Sequence, residues 1–209
     1  MRLILMGPPG SGKGTQGVRL SAELGIPAIS TGDIFRANVA AGTALGLEAR
    51  RYMDAGEYVP DEVTNSMVRD RLAQPDCEAG FLLDGYPRTI NQISVLDAIF
   101  DDAGWSLDGV IRLAVDRDVL VSRLLARAQH EGRADDTEDV IRRRQDVYVE
   151  QTAPLTGEYR YRGLLLKVDG DGSVDAVARR IRDVLVSAGR WNTQKDAGVI
   201  APTITPASA

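Results

Sequence analysis

Residue types that often carry chemistry are scarce in this 209-residue chain, which has one cysteine, one histidine and three lysines. The single Cys77 can form no internal disulfide, so we expect a structural thiol in a reducing compartment. His130, the one histidine, lies in a polar stretch, and we expect it to be exposed rather than a ligand or the centre of a catalytic triad. A hydrolase built on such a triad is therefore not the expected class.

The chain also lacks any apolar run near the roughly 20 residues that span a bilayer. Its apolar start runs at once into glycines and prolines, so it is too short for a signal-peptide core and predicts a buried strand. We therefore expect a cytoplasmic protein without membrane contact. The net charge of −5 provides no general basic field, so nucleic acid is not an expected partner. No apolar stripe is left over, which favours a monomer.

What the chain does have is arginine, which makes up 22 of its 25 lysine and arginine residues. The planar guanidinium group binds phosphate oxygens bidentately, so the excess is consistent with phosphate binding. A general compositional bias explains any single arginine equally well, as a solvated surface charge. Lys13 is different, because a scarce residue type stands there within a motif.

Five short apolar segments predict strands, and they span Arg2–Met6 and residues 27–30, 80–84, 110–115 and 164–168. They are continuous rather than alternating, as in strands covered on both faces. Amphipathic helical patterns lie between them, with Asp116 and Ser173 as candidate N-caps. The alternation predicts an α/β fold, a five-stranded parallel sheet with helices on both faces. Such sheets bind ligands at the carboxyl ends of their strands.

A glycine-rich loop follows the first predicted strand and opens a helix. Gly7 and the pair Gly12-Lys13 stand at the spacing of a Walker A phosphate loop, with Thr15 one position later than the usual hydroxyl residue. Glycines let several backbone N–H groups surround one anion, and the helix start adds partial positive charge. The loop predicts nucleoside triphosphate binding and leaves GTPases, ATPases and kinases open.

Four further motifs follow along the chain: Ser-Thr-Gly-Asp-Ile-Phe-Arg at 30–36, Asp-Gly-Tyr-Pro-Arg at 84–88, Gly-Arg-Ala-Asp-Asp at 132–136 and three arginines at 142–144. On these motifs the chain, from its start to about residue 188, resembles the adenylate kinase family in its bacterial form with a short lid. The resemblance implies a P-loop NTPase fold with a core at 1–29, 61–127 and 137–187. It also implies a helical NMP-binding insertion at 30–60 and a lid at 128–136. The tail at 188–209 is not covered, and we expect it to be flexible or loosely docked.

Elementary chemistry agrees with this resemblance. Phosphoryl transfer needs positioning and charge neutralisation more than covalent help. A nucleoside monophosphate has a second phosphate pKa of about 6, so it is already an anionic nucleophile at pH 7 and needs no general base. Two polyanions must approach each other, and cations between them oppose their repulsion. Converging arginines are what such a reaction requires.

The resemblance implies a role for individual residues on each side. The expected ATP-binding residues are Gly10, Ser11, Gly12, Lys13, Gly14, Thr15, Arg123, Arg127 and Gly172. The expected AMP-binding residues are Thr31, Arg36, Glu57, Tyr58, Val59, Gly85, Tyr86, Pro87, Arg88, Gln92, Arg133 and Arg144. The expected catalytic residues are Lys13, Arg88, Arg123, Arg133 and Arg144. Arg142 and Arg143 are interpreted as surface charges.

A magnesium ion bound with ATP is the one expected cofactor. Asp84 ends a buried strand, where a carboxylate is costly without a role, and we expect it to hold the metal through water. Asp135 and Asp136 are paired carboxylates, but we expect Asp136 to cap a helix that starts at Thr137. Some lids of the resembled family bind zinc through four cysteines, and the single Cys77 excludes that form.

Two residues bear on the acceptor base. Thr31 and Gln92 match positions that read adenine in the resembled family, and a glutamine amide can both donate and accept. This favours AMP over UMP or CMP, with ATP, AMP and ADP as the small-molecule partners. A kinase of UMP or CMP stays open as the alternative. A nucleotide-binding adaptor without transfer is less consistent with the arginine set.

Overall fold

The protein is described from a computed structural model, which describes residues 1–131 and 137–191. Its strands are β1 (Arg2–Met6), β2 (Ala28–Ser30), β3 (Phe81–Asp84), β4 (Gly109–Ala114) and β5 (Leu165–Asp169). Every paired strand is parallel, in the order β2-β3-β1-β4-β5. The predicted strands are confirmed to within one residue at each end, and so is the α/β fold class.

Nine helices accompany the sheet in the described part of the chain. They are α1 (Lys13–Leu24), α2 (Thr31–Ala41), α3 (Ala44–Asp54), α4 (Asp61–Leu72), α5 (Ile90–Ala103), α6 (Arg117–Glu131), α7 (Glu138–Val147), α8 (Leu155–Tyr161) and α9 (Val174–Ser187). A π-helical segment at Tyr148–Thr152 continues α7. The described helices include none that is long and apolar enough to cross a membrane.

The two faces of the sheet carry separate cores, because side chains alternate along each strand. Ile4 of β1 packs with residues of α4, α5 and α8 on one face. Its neighbour Leu3 packs with residues of α1 and α9 on the other. Both side chains are fully buried. The continuous apolar strands of the sequence are therefore strands covered on both sides.

Side-chain caps set several helix starts that lie near the carboxyl ends of the strands. Ser30 accepts from the N–H of Asp33 at 3.2 Å to begin α2, and Thr89 accepts from Gln92 N–H at 3.1 Å to begin α5. Ser173 accepts from Ala176 N–H at 3.2 Å, which confirms it as the cap of α9. Helix α6 begins directly after Asp116.

One local expectation is wrong. Helix α7 begins at Glu138 with Thr137 as its N-cap, so the predicted start at Thr137 is one residue early, and Asp136, the predicted cap, lies outside the described residues. Residues 128–131 of the expected lid belong to α6. Within the described part of the expected tail, Trp191 is only 8% exposed and packs with core residues beside α9.

Candidate active site

The phosphate loop runs from the carboxyl end of β1 into α1. The Lys13 ammonium is partly buried there and donates to the carbonyl oxygens of Gly7 at 2.8 Å and Pro8 at 3.0 Å. Burial lowers the Lys13 pKa to about 8; the nearby Arg88 and Arg144 act in the same direction, and Asp84 opposes them. With a pKa of about 8, Lys13 is mostly protonated at neutral pH and loses its charge slightly above it.

Two polar groups stand beside Lys13. The Ser11 hydroxyl is buried and has no hydrogen-bond partner within residues 1–131 and 137–191. The Asp84 carboxylate ends β3 and faces α1, since its Oδ2 lies 3.9 Å from where a Cβ on Gly14 would stand. Burial raises the Asp84 pKa, and the Lys13 and Arg88 charges oppose that rise. The strand end thus places a desolvated carboxylate against the phosphate loop.

One cleft beside the phosphate loop collects cations from four distant segments. It is lined by Lys13 of the loop, Arg36 of α2, Arg88 after β3 and Arg144 of α7. Three of the four arginines predicted on the AMP side are thus together in one cleft. The fourth, Arg133, lies outside the described residues. Because the strands are parallel, their carboxyl ends and the loops that follow share one edge of the sheet.

The cleft also contains every other predicted AMP-side residue that the structure describes. They are Thr31, Glu57, Tyr58, Val59, Gly85, Tyr86, Pro87 and Gln92. A small separate core of Phe35, Ala49 and Val59 supports this wall from behind. The residues quoted from separate motifs are therefore neighbours in space.

Arg88 is fixed by contacts on both its main chain and its side chain. Its Nε donates to the Gly85 carbonyl at 2.7 Å, and its guanidinium carbon lies 4.7 Å from the centre of the Tyr58 ring. Its carbonyl accepts from the Thr152 hydroxyl at 3.0 Å. A guanidinium stacked on an aromatic face keeps its charge and its remaining donors.

Gly85 permits a close approach that a larger residue would prevent. Its φ is +79°, and a Cβ there would lie 2.8 Å from both Thr31 Oγ1 and an Arg88 guanidinium nitrogen. Thr31 Oγ1 donates to the Gly85 carbonyl at 2.9 Å. The Thr31 hydroxyl therefore has its proton engaged and only lone pairs left for a ligand.

The Gln92 amide has a defined orientation. Its Nε2 donates to Asp61 Oδ1 at 2.6 Å, and its Oε1 accepts from the Arg88 N–H at 2.7 Å. A carboxylate only accepts and a backbone N–H only donates, so these partners exclude the flipped amide. Asp61 also accepts from Thr89 Oγ1 at 2.7 Å. Sequence reasoning missed Asp61, since an acidic residue after Pro60 reads as an ordinary first-turn residue of a helix.

Arg123 and Gly172 lie on the opposite side of the phosphate loop from the cleft. Both terminal nitrogens of Arg123 lie 3.4 Å from the Gly170 carbonyl, and its ion pair with Asp171 measures 3.9 Å. This places Arg123 beside the β5–α9 turn that contains Gly172. Arg127, one turn further along α6, is close enough to contribute to the low Lys13 pKa.

A stripe on α7 and its π-helical continuation also lines the cleft. Arg144, Tyr148 and Thr152 face it at intervals of four residues, and Gln145 Nε2 donates to the Pro9 carbonyl at 2.9 Å. Sequence reasoning found only Arg144. The spacing of four residues, starting from Arg144, is the signal that predicts the other two.

Two neighbouring arginines of α7 differ in their partners. Arg142 pairs with Glu138 of its own helix at 2.7 Å, as expected of a surface charge. Arg143 pairs instead with Glu57, across the gap to the α3–α4 loop, at 2.6 Å. Arg143 is therefore exposed as expected of a surface charge, but its long-range pairing with Glu57 was not anticipated from the sequence.

Comparison with known proteins agrees with this geometry. The adenylate kinase family matches residues 5–164. An adenylate kinase of a Nocardioides species is 64% identical over 185 residues, or 88% of this chain and 97% of that protein. One from Kocuria rhizophila is 61% identical over 184 residues, with 88% and 98% covered, and one from Clavibacter michiganensis is 55% identical over 188 residues, with 90% and 94% covered. The resemblance seen in the motifs is thereby confirmed, and the chain belongs to the adenylate kinase family.

Proposed function

We propose that the cleft is the acceptor site for the reaction ATP + AMP = 2 ADP, with the phosphate loop as the donor site beside it. The observation that carries this assignment is the convergence of Lys13, Arg36, Arg88 and Arg144 on one cleft. A protein that only binds ATP has no need for cations around a second anionic site. The reaction runs in either direction, because the donor and the acceptor both become nucleoside diphosphates. One ADP can then donate its terminal phosphoryl group to the other.

The chemistry is a direct transfer. An oxygen of the AMP phosphate attacks the γ-phosphorus of ATP, the bond from that phosphorus to the β–γ bridging oxygen breaks, and ADP leaves. Lys13 would hold the donor phosphates, Arg36 and Arg88 the acceptor phosphate, and Arg144 the group in transfer. Arg123 and Arg127 would act from the ATP side, and Arg133 would complete the set from the lid. Each cation lowers the repulsion between the two anions.

Selection of adenine would depend on Thr31 and Gln92. The Thr31 hydroxyl, already donating to Gly85, can accept from an exocyclic amino group. Gln92 keeps one amide proton and one oxygen lone pair after its contacts with Asp61 and Arg88, so it can still donate and accept at a base edge. Uracil carries no exocyclic amino group, so it would leave Thr31 without its partner.

Magnesium bound with ATP fits the residues around the phosphate loop. This ion keeps several waters and needs few protein carboxylates, and Asp84 beside Gly14 supplies one that can hold those waters. When bound, the ion neutralises phosphate charge and orients the γ-phosphoryl group. The buried Ser11 hydroxyl, unpartnered in the described structure, would find its partner among the donor phosphates.

Closure of residues 30–60 and 128–136 over the two nucleotides would exclude water. Water in the site would accept the phosphoryl group and waste ATP, so closure protects the reaction. Opening is then a candidate for the slow step. The location in the cytoplasm, consistent with the free buried Cys77, and the monomeric state belong to this proposal as well.

An acceptor panel tests the proposal. ADP formation is measured with MgATP and AMP, UMP, CMP or GMP in turn, and each reaction is repeated without the acceptor to record hydrolysis. We expect AMP to be preferred by at least about 100-fold, since a base that leaves buried polar groups unpaired is rejected strongly. Preference for UMP or CMP would identify the related kinase, and no ADP with any acceptor would identify a binding protein.

A further inference from the structure

The loop between α3 and α4 is tied to α7 by an ion pair that spans 86 residues of sequence. Glu57 Oε1 accepts from Arg143 Nε at 2.6 Å, and the two side chains are 36% and 43% exposed. Glu57 belongs to the wall of the acceptor cleft, and the residue after Arg143 is Arg144, which lines the same cleft. The pair therefore joins two walls of one site.

The residues on either side of Glu57 make contacts in the same direction. A Cβ on Gly56, whose φ is +73°, would lie 3.1 Å from the Val140 carbonyl and 3.2 Å from the Arg143 Cβ. The Tyr58 hydroxyl lies 2.8 Å from Thr152 Oγ1 in the segment that continues α7. Three consecutive loop residues are thus docked along one helical element.

We propose that the Glu57–Arg143 pair positions the acceptor site, by holding the 56–59 loop against α7 before AMP arrives. The backbone of the loop and the Arg144 guanidinium then stand at a fixed separation, so AMP meets a wall that is already in place. Pre-ordering of a site reduces the entropy lost on binding. The inference rests on the proposed function, because it takes the cleft to be the AMP site.

The surroundings of Arg143 decide which variants are informative. Asp146 and Glu150, on the same helical element, also lie close enough to attract the Arg143 charge. Exchanging the two residues, Glu57→Arg with Arg143→Glu, would place a carboxylate beside Asp146 and Glu150. Such a variant would therefore test repulsion as much as pairing. Alanine variants at each position, alone and together, isolate the pair instead. Arg142→Ala is the matched control, since Arg142 pairs with Glu138 of its own helix.

The first experiment measures amide hydrogen exchange over residues 44–60 in the nucleotide-free protein. We expect faster exchange in Arg143→Ala and in Glu57→Ala, while Arg142→Ala exchanges like the wild type. Equal protection of the loop in all four proteins would overturn the proposal. This readout needs no catalysis, so it stands even if the acceptor assignment fails.

The second experiment measures kinetic constants in the same proteins. We expect the KM for AMP to rise about two- to fivefold in each single alanine variant, the range that an exposed ion pair supports. The KM for ATP should stay unchanged, the double variant should match the single ones, and Arg143→Lys should recover part of the loss. If the wild type forms ADP but the single variants leave the KM for AMP unchanged, or their effects add in the double variant, only the positioning role is overturned. A wild type that forms no ADP from AMP overturns the proposed function.

Discussion

Gln92 and Asp61 are joined by a 2.6 Å hydrogen bond from Nε2 to Oδ1, which orients the amide in the wall of the acceptor cleft. Asp61 begins α4, whereas Gln92 lies in the first turn of α5, so the packing of two helices sets the amide direction. The same carboxylate accepts from Thr89. If Gln92 reads the base as proposed, base selection would depend on Asp61, which lies behind it.

Asp61→Ala is expected to weaken both AMP binding and base selection. With Gln92 Nε2 unpartnered the amide can rotate, and the loss of a hydrogen bond to a charged group corresponds to a rise of about tenfold or more in the KM for AMP. The measurement is the KM for AMP and the ratio of kcat/KM for AMP to that for CMP. Glu62→Ala, an exposed neighbour in the same turn, is the control and should leave both unchanged. An unaltered AMP to CMP ratio in Asp61→Ala would exclude this role of the amide.

Arg88→Ala is expected to lower kcat by about 100-fold or more, as for removal of a donor aimed at charge in the transition state. Its guanidinium donates to Gly85, stacks on the Tyr58 face and lies near the Asp84 charge, in the wall of a cleft rather than in a core, so the melting temperature should change by a few degrees at most. Arg88→Lys keeps the charge but loses the fork, and should recover only part of the rate. Normal turnover in the alanine variant would show that the site assignment is wrong.

The KM for ATP is expected to rise as pH increases above about 8. Burial lowers the Lys13 pKa to about 8 from the ordinary value of 10.5, so the nucleotide-free protein loses this cation in that range. A neutral amine cannot pair with phosphate, and the limiting slope for one proton is about tenfold per pH unit. The measurement is the KM for ATP from pH 6.5 to 9.5 in the wild type and in Lys13→Met, which should bind weakly and without that slope. A wild-type KM that is flat to pH 9.5 would contradict the prediction.

The lowered Lys13 pKa also makes the free energy of unfolding depend on pH. The direction of the pKa change decides whether stability rises or falls with pH. The unfolded chain keeps the Lys13 proton up to about 10.5, whereas the folded protein releases it near 8. Between these values the unfolded state binds more protons, so the Lys13 contribution to the free energy of unfolding rises with pH. Urea unfolding of the wild type and Lys13→Met across this window would measure the difference.

Trp191→Ala is expected to destabilise the protein by about 2–4 kcal/mol, because it leaves a cavity at the edge of the core. Trp191 packs against residues of α9, and the Arg182 guanidinium lies 5.9 Å from its ring centre. The melting temperature should fall by about 5–15 °C. Tyr161→Ala is the control, since that ring is 90% exposed and its loss should cost less than about 0.5 kcal/mol. Equal melting temperatures of the two variants would show that Trp191 contributes no packing.

The strands and their parallel direction could be predicted because each signal is local. Continuous apolar runs such as Arg2–Met6, separated by amphipathic helices, leave few arrangements that bury both sheet faces. The phosphate loop was also readable, since its glycines and Lys13 act through backbone geometry within a few residues. The motif resemblance then supplied candidates for the acceptor side, and all of those within residues 1–131 and 137–191 lie in one cleft.

Long-range contacts were not readable in the same way. Arg143 and Arg144 are the same residue type at adjacent positions, yet one pairs with Glu57 while the other lines the cleft. A helix rotates about 100° between neighbours, so the distinction depends on which face meets the α3–α4 loop. The burial of Trp191 could not be predicted for a similar reason, since the surface that it covers is assembled from distant segments.

The sequence by itself determined the chemistry available to this member of the adenylate kinase family: a strand, a glycine loop with one lysine, and arginines in recognisable motifs. The strand and the loop follow from periodicity and spacing, which act over a few residues, and the arginine motifs were identified by their resemblance to the family. Only the tertiary structure decided the low pKa of Lys13, the direction of the Gln92 amide and the docking of Glu57 on Arg143. Each of these depends on burial or on a partner far along the chain, and folding creates both.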